Sequence, residues 1–182
     1  AVHIIIKVFE ETPRLRTLCG FEEGVEQIDW SDSKKGPVEV ALLAADLKAG
    51  RAIAAVASLR CGNNPGMVGK LDQFGRLETP DAHAEVFKEL TDSLKTSQVT
   101  EVDFSSCGIG PVVLGHLSEW VREATAAVTA INVLSNPIGD GANLLIDIFE
   151  STESIRTMLG IEDGTTALHL SGNRWGINRT SK

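Results

Sequence analysis

Residues 99–107 read VTEVDFSSC and residues 128–136 read VTAINVLSN, and the two stretches share one spacing of apolar residues. In both, apolar residues occupy the first, fourth and sixth places, and Cys or Asn occupies the ninth. An Ile-Gly pair and then an amphipathic helical pattern follow each stretch. This spacing predicts a short strand whose fourth and sixth side chains point inward, followed by a turn and a helix.

Three weaker copies of the pattern are present, over 25–33, 53–61 and 165–173. In the copy over 53–61 the predicted fourth place is Val56, the ninth is Cys61, and Leu59 falls at the seventh. Thr79-Pro80 is a helix-start signal, with Thr as N-cap. Apolar spacing predicts helices over 2–11, 37–49, 80–95, 111–125 and 140–151. Because strands and helices alternate, the sheet is expected to be parallel.

A longer period relates the two ends of the chain. Residues 1–36 align without a gap on residues 141–176, an offset of 140, with eleven identities. Within each end, two predicted fourth places stand ten residues apart, which leaves no room for a helix and predicts a tight turn. Before residue 99 the step between fourth places is about 18 residues longer than its neighbours, which predicts a loop or hairpin excursion over 63–78.

On these repeated places the sequence resembles the leucine-rich-repeat family, specifically its ribonuclease-inhibitor-like class. The resemblance implies that residues 1–182 form a single α/β solenoid domain with about 5–7 strand segments. In such a horseshoe-shaped arc, the parallel sheet lines the concave face and the helices line the convex face. The ninth-place residues would turn into the loops and satisfy backbone groups there, as expected for Cys61, Cys107, Asn136 and Asn173.

The composition excludes several classes of function. A formal charge of -8, with 17 basic residues against 25 acidic ones, argues against nucleic-acid binding, which needs clustered Lys and Arg. No apolar run approaches the roughly 20 residues that cross a bilayer, so no membrane is expected as a partner. The three cysteines form no CxxC pair, which predicts neither a zinc site nor a disulfide framework and favours the cytoplasm.

No catalytic, metal or cofactor site is predicted. The four histidines lie in different repeats without metal-ligand spacing: His3, His83, His116 and His169. Residues 107–111, CGIGP, stand where a dinucleotide-binding glycine motif would open a helix, but the third glycine is missing. Cys19 is expected on the strand face as a passive thiol. Since no nucleophile–base pair or carboxylate pair stands out either, we expect no enzyme.

The resemblance to leucine-rich repeats implies a scaffold that binds a protein partner through the concave strand face. The predicted contact residues occupy the third, fifth and seventh places of the strand segments: Gln27, Asp29, Ser31, Leu59, Glu101, Asp103, Ser105, Asn132, Leu134 and His169. Large apolar residues among them favour a surface that is covered by a partner.

Two other roles remain open at this stage. One is a regulator of a GTPase-type partner, which would use Arg60, Lys70 and Arg76 in or near the excursion. The other is a purely structural subunit of a larger assembly. Apolar residues in the first helix, and the lack of a helical pattern after Trp175, predict open ends. We therefore expect a fragment of a longer array of the same repeats, or end-to-end self-association.

Overall fold

The computed structural model describes residues 2–158 and is a mixed α/β protein. Its helices are α1 (Val2–Glu11), α2 (Pro37–Ala49), α3 (Ala84–Leu94), α4 (Pro111–Glu123) and α5 (Ala142–Ser151). Its strands are β1 (Gln27–Asp29), β2 (Ser58–Arg60), β3 (Lys70–Leu71), β4 (Leu77–Thr79), β5 (Glu101–Asp103) and β6 (Ala130–Asn132). A short 3-10 helix, Gly139–Gly141, leads into α5.

Four strands form one parallel sheet in the order β1-β2-β5-β6, so the predicted parallel sheet is confirmed. The middle residue of each strand points into the core, because side chains alternate along a strand. These middle residues are in register and buried: Ile28, Leu59, Val102 and Ile131.

The register predicted for residues 53–61 is wrong by three residues. Leu59, expected on the exposed face, is a buried fourth-place residue that aligns with Ile28 and Val102. Cys61 is therefore a buried sixth-place residue rather than a loop residue, and the ninth place belongs to Asn64. From apolar spacing alone, either Val56 or Leu59 can be the fourth place. The structure selects Leu59, and the ninth place of that register is Asn64.

The helices pack in chain order on the core side of the sheet, each against the next. Gly36 and Pro37 begin α2, where the Glu39 carboxylate accepts a hydrogen bond from the Gly36 N–H at 3.0 Å. Gly50, with φ of 57°, ends it. The core between helices and sheet includes Leu43, Phe87, Phe104, Leu117 and Trp120.

The predicted helix start at Thr79-Pro80 is wrong. Thr79 is the last residue of β4, which pairs with β3 in an antiparallel hairpin inserted between β2 and α3. Because Thr79 is held in that hairpin, α3 begins only at Ala84. Within residues 2–158, no helix is long and apolar enough to cross a membrane.

Beyond each strand the backbone repeats one conformation at the eighth place. Four residues there have φ between 51° and 59°: Asp32, Asn63, Ser106 and Ser135. Asp and Asn adopt this left-handed region more readily than most residues, because their short polar side chains can bond locally. The N–H groups of three of them reach the seventh-place carbonyl of the next segment at 2.9–3.0 Å. Parallel pairing therefore continues past the strands.

Candidate partner-binding surface

The strand face presents the third and fifth places of four segments side by side. Four of these residues are exposed: Gln27, Asp29, Arg60 and Glu101. The other four are half-buried: Ser58, Asp103, Ala130 and Asn132. Of the residues predicted from the sequence, this face therefore brings together Gln27, Asp29, Glu101, Asp103 and Asn132.

Arg60 is a strand-face residue that the sequence prediction placed in or near the excursion instead. It aligns with Asp29 on one side and with Asp103 on the other, so the fifth-place row reads Asp, Arg, Asp, Asn. Neighbouring strands lie about 4.8 Å apart, which sets the spacing of these charges. The Asn64 that marks the ninth place would have revealed this position, because it fixes Arg60 as a fifth-place residue.

Asp103 organises the half-buried end of the row. Its Oδ1 accepts hydrogen bonds from the Ser105 N–H at 2.9 Å and from the Ser105 hydroxyl at 2.7 Å. Its Oδ2 accepts one from the Asn132 amide at 3.1 Å, and the Asn132 Oδ1 in turn accepts one from the Leu134 N–H. These bonds fix the side chains of β5 and β6 before any partner arrives.

Asp29 is held at the exposed end. Its Oδ1 accepts a hydrogen bond from the Ser31 N–H at 2.9 Å. Hydrogen bonds from the Ser31 backbone and side chain lower the pKa of Asp29, and the positive charge of Arg60 lowers it further. Asp29 is therefore a fixed negative charge beside a positive one at neutral pH.

The seventh places form a shallower third row. Ser31, Ser105 and Leu134 are half-buried there. The β2 segment has Gly62, where a Cβ would stand 2.8 Å from the Ser105 Oγ and 3.2 Å from the Asp103 Oδ1. Only glycine fits beside the Asp103 cluster without displacing it. The predicted contact residue His169 lies outside the described residues.

The excursion projects its tip into solvent. Asp72 forms the hairpin turn, because its Oδ1 accepts hydrogen bonds from the Phe74 and Arg76 N–H groups, both at 2.8 Å. The Phe74 ring is 73% exposed, and the Arg76 guanidinium lies 5.9 Å from its centre. Lys70 at the base forms an ion pair with Glu78 at 2.6 Å. Of the three basic residues predicted for a regulatory loop, Arg76 is the one at the tip.

A side chain of the protein itself caps the N-terminus of α4, where the glycine motif would have placed a phosphate. The Asp81 carboxylate accepts hydrogen bonds from the Gly110 N–H at 2.7 Å and the Val112 N–H at 2.8 Å. A Cβ on Gly110 would lie 2.6 Å from an Asp81 oxygen, so the glycine makes room for this cap. The CGIGP segment has a structural use in the described fold.

The surroundings of the three cysteines favour the neutral thiol over the thiolate. Burial, followed by the Asp46 carboxylate, raises the pKa of Cys19 far above its usual value, and Cys19 is only half-exposed. Burial raises the pKa of Cys107 to about 12, and it also raises that of Cys61. Among residues 2–158, no three His, Cys, Asp or Glu side chains come together as metal ligands.

Neither the models of known protein families nor the curated proteins include a match to this chain.

Proposed function

We propose that the chain is a leucine-rich-repeat solenoid that acts as a scaffold for a protein partner, with its concave strand face as the contact surface. Three regularities support the solenoid: sequence-ordered parallel strands, helices that pack each on the next, and the repeated eighth-place turn. Each repeat then contacts mainly its neighbours, as in solenoids generally. The sheet would line the concave side of an arc and the helices its convex side.

The row of alternating charge at the fifth places carries the proposal for function. A complementary partner presents a basic group to Asp29, an acidic group to Arg60 and a basic group to Asp103, at strand spacing. Nucleic acid fits this row poorly, because it offers charges of a single sign. A protein surface or an extended peptide carries both signs and is the partner that we propose, in the cytoplasm and without catalysis by this chain.

A charge exchange tests this directly. Asp29→Arg combined with Arg60→Asp exchanges the two exposed charges of the row and leaves Asp103 in place, while it preserves composition and net charge. Proteins captured from a cell extract are quantified by mass spectrometry. The amount of a specific partner captured by this variant should be at least tenfold lower than the amount captured by the wild-type chain.

The matched control exchanges an exposed pair on the helix side. Lys48 and Glu10 form an ion pair at 3.1 Å, so Lys48→Glu with Glu10→Lys keeps the pair and the net charge. This control should capture the partner as the wild type does. Equal capture by all three proteins would refute the strand face as the contact surface.

The hairpin tip favours a second candidate, regulation of a GTPase-type partner, because Phe74 and Arg76 are presented together on a protruding turn. In that case Arg76→Ala would abolish an effect on the partner's GTP hydrolysis, whereas Arg60→Ala would not. A structural subunit, the third candidate, would tolerate all of these substitutions without loss of assembly.

A further inference from the structure

The helices α1 and α5 are equivalent in sequence but bury different faces. At the offset of 140, Val8 matches Ile148 and Phe9 matches Phe149. Ile148 is 1% exposed whereas Val8 is 50% exposed, and Phe9 is fully buried whereas Phe149 is 48% exposed. One type of helix therefore has two apolar faces, and each copy uses only one of them.

The same contrast extends along the equivalent segments. Ile4 and Ile5 are exposed on α1, while the matching Leu144 and Leu145 pack against the core. Leu15, just after α1, is 42% exposed, while the matching Ile155 is 5% exposed. Four positions that are apolar in both copies are thus more deeply covered in the second than in the first.

The second copy identifies what covers these positions. α4 packs against α5 and the turn before it, where a Cβ on Gly141 would lie 2.6 Å from the Leu114 side chain. The segment after α5 also extends the sheet beside β6. The Arg156 N–H donates to the Thr129 carbonyl at 2.8 Å, and the Ile131 N–H donates to the Thr157 carbonyl at 3.0 Å.

For the first copy, no described residue provides either kind of cover. Among residues 2–158 no strand pairs with Arg16–Thr17, which match Arg156–Thr157. The open surface of α1 thus combines an apolar helix face with a segment whose counterpart pairs with a strand. An isolated amphipathic helix would cover the apolar face of α1 but would leave Arg16–Thr17 without a strand.

We propose that the α1 face, defined as Ile4, Ile5, Val8 and Leu15, is the docking surface for a strand-and-helix repeat unit with the apolar pattern of residues 99–141. Its helix would cover α1 as α4 covers α5, and its strand would pair with Arg16–Thr17 as β6 pairs with Arg156–Thr157. The surface is distinct from the strand face, so this inference stands whether or not the charged row binds a partner.

The 140-residue offset allows a direct test by tandem fusion. Residues 1–141 are joined to residues 2–182, so that Val2 of the second unit takes the place of Ala142. Keeping Gly141 at the junction avoids the clash of a Cβ with Leu114. If the surface docks such a unit, urea unfolding of the fusion shows one transition at a higher midpoint than the single chain.

The double substitution Ile4→Glu with Val8→Glu is the test when it is made in the second unit and the control when it is made in the first. In the second unit these substitutions fall at the junction and should lower the midpoint or split the transition. In the first unit, and in the single chain, both positions are exposed, so the same substitutions should leave the midpoint unchanged. Indistinguishable effects in the two units would overturn the proposal.

Two further measurements cover the remaining outcomes. If the long fusion does not fold, residues 99–141 joined to residues 2–182 carry the docking unit alone. Ile4→Glu with Val8→Glu should then lower the urea midpoint of this short fusion but not that of the single chain. Aggregation of both fusions, with the single chain well behaved, would overturn the proposal. Sedimentation of the single chain tests a second copy as the occupant: a dimer that Ile4→Glu with Val8→Glu dissociates would overturn it as well.

Discussion

The side-chain amide of Asn136 donates a hydrogen bond of 2.8 Å to the backbone carbonyl of Phe104, a sixth-place residue one repeat earlier. Asn64 makes the same bond to the Trp30 carbonyl at 2.8 Å. The Cys107 thiol donates to the Cys61 carbonyl at 3.1 Å. The ninth-place side chain therefore ties each repeat to the one before it, and it does so where backbone groups are out of reach of water.

Asn136→Ala should be among the most destabilising single substitutions in this chain. The Asn136 amide also donates to the Val133 carbonyl, and its oxygen accepts hydrogen bonds from the Cys107 and Ile109 N–H groups. Leaving these buried groups unsatisfied should lower the free energy of unfolding by about 2–4 kcal/mol. Urea unfolding followed by circular dichroism measures the loss.

Three alanine substitutions should rank in a fixed order of stability loss. Cys107→Ala removes a weaker donor and should cost less than Asn136→Ala, whereas Asn143→Ala, at an exposed position on α5, should stay within about 0.5 kcal/mol of wild type. A Cys107→Ala loss larger than that of Asn136→Ala would contradict the account of the ninth place.

Asp46→Ala should also be costly, because Asp46 on α2 is buried and organises the turn after α1. Its carboxylate accepts hydrogen bonds from the Thr17 hydroxyl at 2.7 Å, the Leu18 N–H at 2.7 Å and the Cys19 N–H at 3.0 Å. We expect a loss of about 2–4 kcal/mol in the free energy of unfolding. Asp46→Asn keeps one acceptor oxygen and should lose less, and equal stability of both variants with wild type would refute this role.

The sequence predicted the alternation of helices and parallel strands because each element carries its own apolar spacing. The bounds of α2, for instance, are set by Pro37 and Gly50 and agree with the prediction. The prediction for 53–61 failed because Val56 and Leu59 are both apolar, so that either could be taken as the fourth place. The parallel pairing with β1 and β5 selects one of them.

Contacts between distant residues could not be predicted in the same way. Asp46 and Asp81 each bind N–H groups 27 to 31 residues away, and neither has a local signal. The strand-face residues were predicted for three of the four strands. Arg60 was assigned elsewhere because Cys61 was taken as the ninth place; with Asn64 as the ninth place, Arg60 is the fifth.

Asp81→Ala should shorten α4 at its N-terminus and cost about 1–2 kcal/mol, since it removes the cap on the Gly110 and Val112 N–H groups. Asp81 has φ of 57°, which Asn tolerates better than Ala. Asp81→Asn keeps a cap oxygen as well and should recover more than half of the loss. Urea unfolding gives the energies, and hydrogen exchange of the first turn of α4 locates the change; unaltered exchange in Asp81→Ala would contradict the capping role.

Acid should weaken the contact between α3 and α4 through one lysine. Lys95 lies 2.8 Å from carboxylate oxygens of Asp92 and Glu119 and 3.0 Å from one of Glu123. A hydrogen bond from Lys95, together with its charge, lowers the pKa of Glu119, and the hydrogen bonds that Lys95 donates to Asp92 and then to Glu119 raise the pKa of Lys95. Because the pKa of Glu119 is lower in the folded than in the unfolded protein, this carboxylate stabilises the fold above the ordinary Glu pKa of about 4.3. That stabilisation is lost as the pH falls through the pKa of Glu119 in the folded protein.

Lys95→Met should therefore reduce the loss of stability between pH 6 and pH 3, because Glu119 no longer has its partner in the folded state. The raised pKa of Lys95 itself matters only at alkaline pH, where its contribution is lost above the ordinary lysine value of about 10.4. Lys48→Met removes a more exposed ion pair and should leave the acid dependence close to wild type. Urea unfolding at each pH measures the slopes, and an acid dependence of Lys95→Met as steep as that of Lys48→Met would show that this cluster does not join the two helices.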